Sequence, residues 1–182
     1  MRFAYADPPY FKCAVKFYGD HPEAAVYDTV EGHRDLVHRL IDEFPDGWAL
    51  SMGSVDLIRL APHLALPDDC RVAAWCKSFA AFKPNVNPAY TWEPVIFRGG
   101  RKGDRTRMTV KDHLPEPITL RKGLTGAKPD AFNLWVLDLL GYQPGDVMVD
   151  LFPGTGGMAG AVDRAESGDL FTEPAPEALS LL

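Results

Sequence analysis

The chain has 182 residues, a length that fits one folded domain by the usual ~100–200 residues per domain. With 46% hydrophobic, 24% charged and 11% aromatic residues it is neither a disordered tail nor a collagen-like fibre nor a coiled coil. Its 19 basic and 25 acidic residues give a formal charge of −6, which argues against a nonspecific nucleic-acid coat built on many phosphate contacts.

No apolar run approaches the ~18 residues of a membrane span, and Met1 leads into RFAYADPPYF rather than a secretory signal pattern. A soluble, cytoplasmic protein is expected. Cys13, Cys70 and Cys76 form no C-x-x-C pair, and the histidines form no H-E-x-x-H, so neither a disulfide framework nor a metal centre is expected.

In chain order, residues 2–6 (RFAYA) read as a short buried strand. It must stop at Asp7-Pro8-Pro9-Tyr10, because consecutive prolines cannot continue a ladder. Residues 11–30 show no clean period and read as a mobile loop. From Gly32 to Phe44, apolar Leu36, Val37, Leu40, Ile41 and Phe44 share one helical face, and Pro45-Asp46-Gly47 stops that helix. Trp48–Met52 reads as a second strand, Ser54 as the N-cap of a short helix through Leu60, and 71–77 (RVAAWCK) as a third strand. Residues 92–98 (WEPVIFR) read as a fourth strand, placed at an edge because of Pro94. The segment 98–128 reads as a polar loop. Asp130 is expected to cap a helix with a Leu134, Leu137, Leu140 stripe that Gly141 ends. Val147–Phe152 then reads as a strand, 158–165 as a helix, and 168–172 as a last short strand. This alternation predicts one α/β domain over 1–182, built on a mainly parallel sheet with helices on both faces.

Two segments carry chemistry. Residues 150–156 (DLFPGTG) follow a strand and precede a helix, where glycines permit a sharp turn and close approach of a ligand to the main chain. Neither a phosphate-binding P-loop nor the full G-x-G-x-x-G fingerprint is present, since Met158 and Ala159 follow Gly157. By itself the turn is compatible with a purely structural strand-to-helix connection. Residues 7–10 (Asp-Pro-Pro-Tyr) close the first strand. A carboxylate and a backbone carbonyl accepting the two hydrogens of an exocyclic amine would make its delocalised nitrogen pyramidal and nucleophilic. Two prolines fix such a carbonyl, and an aromatic ring offers a stacking face for a base. A strand-ending turn with a surface aspartate is the alternative.

Together, ADPPY and DLFPGTG resemble the S-adenosylmethionine-dependent amino-methyltransferases that act on adenine N6 or cytosine N4. The catalytic motif precedes the glycine motif, similar to the permuted, beta-type order and to the messenger-RNA adenosine methyltransferases. GAKPDAFNLWVLDLLGYQPGDVMVDLF (126–152) also fits, with a Lys-Pro opening a helix ahead of the glycine strand. The resemblance implies a Rossmann-like, circularly permuted and reduced methyltransferase fold. It assigns Asp7, Pro8, Pro9 and Tyr10 to catalysis, with Asp7 holding the amine, Pro8 offering its carbonyl and Tyr10 stacking on the base. It places Asp7, Lys128, Asp150, Leu151, Phe152, Pro153, Gly154, Thr155, Gly156 and Glu173 around the cofactor, with Lys128 near its carboxylate and Glu173 on the ribose.

The stretch 98–107 (RGGRKGDRTR) sets five basic residues against Asp104, and arginines on a glycine loop suit phosphates. Lys12, Lys83, Arg98, Arg101, Lys102, Arg105 and Arg107 are accordingly expected to bind substrate, with 11–30 and 98–128 as substrate-facing loops. A solvated charged loop is the bland alternative. None of the cysteines follows a proline, as the nucleophile of cytosine-C5 methyltransferases typically does, and all three are read as packing residues. Room for a recognition insert is short. Recognition is therefore expected to be relaxed, or completed by a homodimer or a partner subunit, and the sheet is expected to lack a last strand of its cofactor half. The function expected is adenine-N6 methylation of DNA. Cytosine N4, RNA adenine, and a catalytically silent nucleic-acid-binding subunit stand as alternatives.

Overall fold

Residue alternation along the strands determines how the sheet is packed. In β1 (Arg2–Ala6), Phe3 and Tyr5 enter one core and Ala4 and Ala6 the other, so a five-residue strand is buried on both faces. The structure, a computed structural model, describes residues 1–19, 24–79, 84–103, 108–119 and 127–168. The remaining strands are β2 (Gly47–Ser51), β3 (Arg71–Cys76), β4 (Trp92–Gly99), β5 (His113–Pro115) and β6 (Val147–Asp150). They form one six-stranded sheet in the order β5-β3-β4-β2-β1-β6. Only β4 runs against the others, so the sheet is mostly parallel.

Helices cover both faces. The helices α1 (Ala14–Tyr18), α2 (Val30–Glu43), α3 (Ser54–Leu60), α4 (Asp130–Leu140) and α5 (Gly157–Ser167) follow in chain order. Leu36, Val37 and Leu40 of α2 pack with Leu60 of α3 against Trp48 and Leu50. On the opposite face Phe132, Trp135, Val136 and Leu140 of α4 join Met158 and Ala161 of α5 over Phe3, Tyr5 and Val95. Thr29 caps α2, its hydroxyl accepting the Gly32 N–H at 3.0 Å, and Gly141 closes α4 in the left-handed conformation at φ 64°.

Several expectations are corrected. β4 is not an edge strand but lies between β3 and β2. Pro94 sits just past the last β2–β4 pair, Ser51 with Val95, and its carbonyl still accepts the Met52 N–H at 3.3 Å. The donor it lacks therefore falls where that ladder ends. Residues 11–30 are not all loop: α1 and a 3-10 turn, Ala24–Asp28, form there, and the Asp28 carboxylate accepts the Ala14 and Val15 N–H groups at 2.8 and 3.1 Å. Within 98–128, β5 pairs in parallel with β3. Gly53, not Ser54, occupies the N-cap of α3, and Pro129, not Asp130, that of α4. Of the last expected strand, 169–172 lie outside the described residues. Among those described, no helix is long and apolar enough to cross a membrane.

Candidate active site

Because β1 and β6 are parallel neighbours, with Tyr5 opposite Asp150, the two motifs emerge side by side at the same end of the sheet. The Leu151 N–H donates to the Tyr5 carbonyl at 2.9 Å, extending the register into the glycine turn. Ligands of open α/β sheets sit in this kind of crevice, beyond the carboxyl ends of the strands. A cavity of about 510 Å³ opens there, and Asp7, Pro9, Lys128, Asp150, Leu151, Phe152, Pro153, Gly154 and Thr155 all line it. Pro8 is buried and is not among the lining residues.

The glycine turn is shaped by backbone that side chains resist. Gly154 and Gly156 take φ of 46° and 78°, and the Gly156 N–H closes the turn on the Pro153 carbonyl at 2.7 Å. Asp150 Oδ1 accepts the Phe152 N–H at 3.0 Å and so holds the start of the turn, while burial raises the Asp150 pKa. Tyr27 packs edge-on to Phe152, with ring centroids 5.1 Å apart. At Gly157 a Cβ would come within 2.7 Å of the Asn133 amide nitrogen. That nitrogen, on α4 and facing the cavity, is buried without a hydrogen-bond partner. A buried donor left open in this way fits a ligand acceptor beside the turn.

Beside Asp7 stands a buried charge cluster. Lys128 Nζ donates to Tyr10 OH at 2.9 Å and to Glu93 Oε2 at 3.0 Å. It also lies 3.2 Å from Asp7 Oδ1 as an ion pair, which encloses that oxygen beside the ammonium. Tyr10 OH donates to Glu93 Oε2 at 2.5 Å, and Lys77 pairs with the other Glu93 oxygen. The Lys128 ammonium sits over the rings of Tyr10, Trp75 and Phe132, a cation–π cage that favours its charge. Burial opposes that charge, but Asp7 and Glu93 outweigh it and hold the ammonium above the ordinary lysine range. Burial pushes the Asp7 carboxyl up, Lys128 only partly offsets this, and Glu93 pushes the same way. For Glu93 burial is overcome by Lys128 and Lys77, which hold it at about 2.

Tyr10 is thus clamped at its hydroxyl, and at its ring it meets Gly53, where a Cβ would stand 3.4 Å from Tyr10 Cδ2. Lys12, exposed just beyond the motif, holds a left-handed backbone at φ 60°, which costs a non-glycine residue about 1 kcal/mol.

The basic segment lies elsewhere. Arg98, paired with Trp48 near the end of β4, and Arg101, just past that end, lie at the opposite pole from Asp7. Arg98 is bonded to Asp69 at 2.6 Å, and Arg101 to Asp146 at 2.7 Å and to the Gly141 carbonyl at 3.2 Å. Lys102 is exposed beside them. Lys83, Arg105, Arg107 and Glu173 lie outside the described residues. Glu93, Lys77 and Asn133 were not among the sequence candidates for catalysis or cofactor binding. The available signal was polarity interrupting an apolar pattern: an acid within WEPVIF and an amide within the Phe132–Val136 helix face.

Solved structures share this architecture. The M1.HpyAVI–SAM complex superimposes with a TM-score of 0.56 at 15% identity, over 91% of this chain and 78% of the other. TTHA0409 from Thermus thermophilus, assigned as a DNA modification methylase and complexed with S-adenosyl-L-methionine, gives 0.51 at 14% identity, over 90% and 77%. The fold is that of the DNA methyltransferases. No protein-family model matches the sequence, and no curated protein sequence does.

Proposed function

We propose that the protein is an S-adenosylmethionine-dependent methyltransferase that modifies an exocyclic nucleobase amine in DNA, with adenine N6 as the target. The observation that carries this reading is the shared cavity: Asp7 and the glycine turn line one space at the tips of adjacent strands. The two solved neighbours that are complexed with this cofactor support it at the level of fold.

The residues present fit the cofactor. The turn 152–156 leaves the main chain open to a ligand, and the Asn133 amide supplies a buried donor for its carboxylate. Lys128, expected from the sequence to serve that carboxylate, is already engaged by Glu93, Tyr10 and Asp7, so Asn133 takes that role in our reading. When bound, the cofactor supplies a sulfonium-activated methyl group. The Asp7 carboxylate would accept one amine hydrogen and the Pro8 carbonyl the other, which would localise the nitrogen lone pair for attack. Methyl transfer from the sulfonium to the amine would leave a proton on nitrogen, and the Asp7 carboxylate would take it. Tyr10, tethered at its hydroxyl, presents its ring to the base. Low-dielectric burial strengthens each of these interactions.

Incubation with methyl-labelled cofactor and unmethylated DNA, followed by digestion to nucleosides and mass spectrometry, tests the proposal. N6-methyladenine is the expected product. Label on cytosine N4 would refute the choice of base, and no labelled nucleoside would refute the reaction.

A further inference from the structure

Among the described residues, aromatic side chains are almost all covered. Among the described side chains the exposed exceptions are Phe79 at 52%, Tyr90 at 48% and Trp92 at 38%. All three lie at one end of the sheet. Trp92 pairs with Cys76 at the close of β3, and the Lys77 N–H donates to the Thr91 carbonyl at 2.7 Å. This is the end at which Asp7 emerges, because Val95 pairs with Ser51 at the tip of β2 and Leu50 lies beside Ala6. Trp92 directly precedes Glu93, which is bonded to Tyr10. A second cleft of about 400 Å³, lined by Ser54, Asn85, Asn87, Tyr90 and Trp92, continues the surface past Gly53, on which Tyr10 packs.

Charge is sparse on the described part of this rim. Residues 84–92, PNVNPAYTW, include no ionisable acid or base other than the Tyr90 phenol. Among the described cations near the site, Lys77 and Lys128 are paired with Glu93 and Asp7, Arg39 with Glu43, and Lys12 lies over the Phe11 ring, while Arg98 and Arg101 are ion-paired at the opposite pole. A duplex clamp needs many free cations along a phosphate track. Exposed rings serve another purpose, since every base has a face that stacks on an aromatic side chain whatever its identity.

We infer that the substrate is an unpaired DNA strand whose bases flanking the target stack on Tyr90 and Trp92. The inference rests on the methyltransferase reading for its choice of ligand and specifies how that ligand is held. An unpaired target also spares the cost of extruding a base from a duplex. Stacking binds with a shallow dependence on salt, because few counterions are released.

The test measures binding of the full chain to a fluorescent mixed-sequence single strand and to a hairpin duplex of the same sequence, by anisotropy at several salt concentrations. The single strand is expected to bind at least about tenfold more tightly, with a slope equivalent to no more than about three phosphates. Tyr90→Ala and Trp92→Ala should each weaken it about tenfold with an unchanged thermal midpoint, and Trp92→Phe should recover most of the loss. Equal or tighter duplex binding, a steep salt slope, or alanine variants that bind normally would overturn the inference. Rings that serve a protein partner instead would give that last result. Calorimetry with S-adenosylmethionine on the same protein separates the two claims. Cofactor binding without strand preference defeats only the stacking surface, and strand preference without cofactor binding defeats only the methyltransferase reading.

Discussion

Asp7 has to be a carboxylate to accept an amine hydrogen, yet its burial favours the protonated form. Turnover should therefore fall as pH drops through a point above the usual carboxylate value of 3.8. Glu93 contributes to that upward shift, so Glu93→Gln should move the acid limb of kcat to lower pH while freeing the Tyr10 hydroxyl. A profile that does not move in the variant would exclude Glu93 as a positioning residue. Gly157→Ala tests the cofactor side. Its Cβ would press on the Asn133 amide, the end of a side chain that can yield. About tenfold weaker S-adenosylmethionine binding by calorimetry, at nearly constant stability, is the expected outcome. Unchanged affinity would separate Asn133 from the cofactor.

At the scale of elements, stability rests on two faces of one sheet. Leu140→Ala, at a fully buried position, should cost about 2–5 kcal/mol in urea unfolding. Thr29→Ala, which removes the cap of α2, should cost about 1 kcal/mol. The order of these two losses would reverse if capping outweighed packing. The elements legible in the sequence were those with a repeated period or a terminator of their own: the fourteen-residue α2, α4 closed by Gly141, and β1 halted by Pro8. The α1 helix has only five residues, too few for an amphipathic pattern, and its free N–H groups are satisfied by Asp28, 14 positions from Ala14. The three-residue β5 exists through its pairing with β3, which no local pattern signals. Pro94 pointed to an edge because the rule concerns the missing donor, and only the register shows where that donor would fall. Likewise Asp7 and the glycine turn were legible as motifs, whereas the Glu93 clamp depends on β4 crossing back antiparallel to the site.

Across the whole molecule, the two poles of the sheet do different things. The carboxyl-terminal pole of the parallel strands holds the cavity, the charge cluster and the exposed rings. The opposite pole is stitched by Asp146, which takes both the Met1 amine at 2.6 Å and Arg101 at 2.7 Å. Composition of the basic stretch points Arg101 toward substrate, and its ion pair with Asp146 gives it a part in the fold. Arg101→Ala should lower stability by about 1–3 kcal/mol and leave DNA affinity within about twofold. Weaker DNA binding at unchanged stability would restore the substrate role. Glu93 and Asp146 are both held at about 2, below their ordinary 4.5 and 3.8. A depressed carboxylate contributes stability above its unfolded value that is lost as pH falls toward the folded one. The thermal midpoint should therefore drop between pH 4.5 and about 2, and drop less in Glu93→Gln. An equal drop in both proteins would remove Glu93 from that balance.

In the proposed reaction Asp7 activates an amine in the space it shares with the glycine turn. Methyl transfer and S-adenosylmethionine affinity, measured together on the native protein and on Asp7→Ala, test that role. Transfer should fall at least about a thousandfold while cofactor affinity stays within a few fold. Transfer that survives the substitution, or cofactor binding lost in proportion to it, would remove Asp7 from the role.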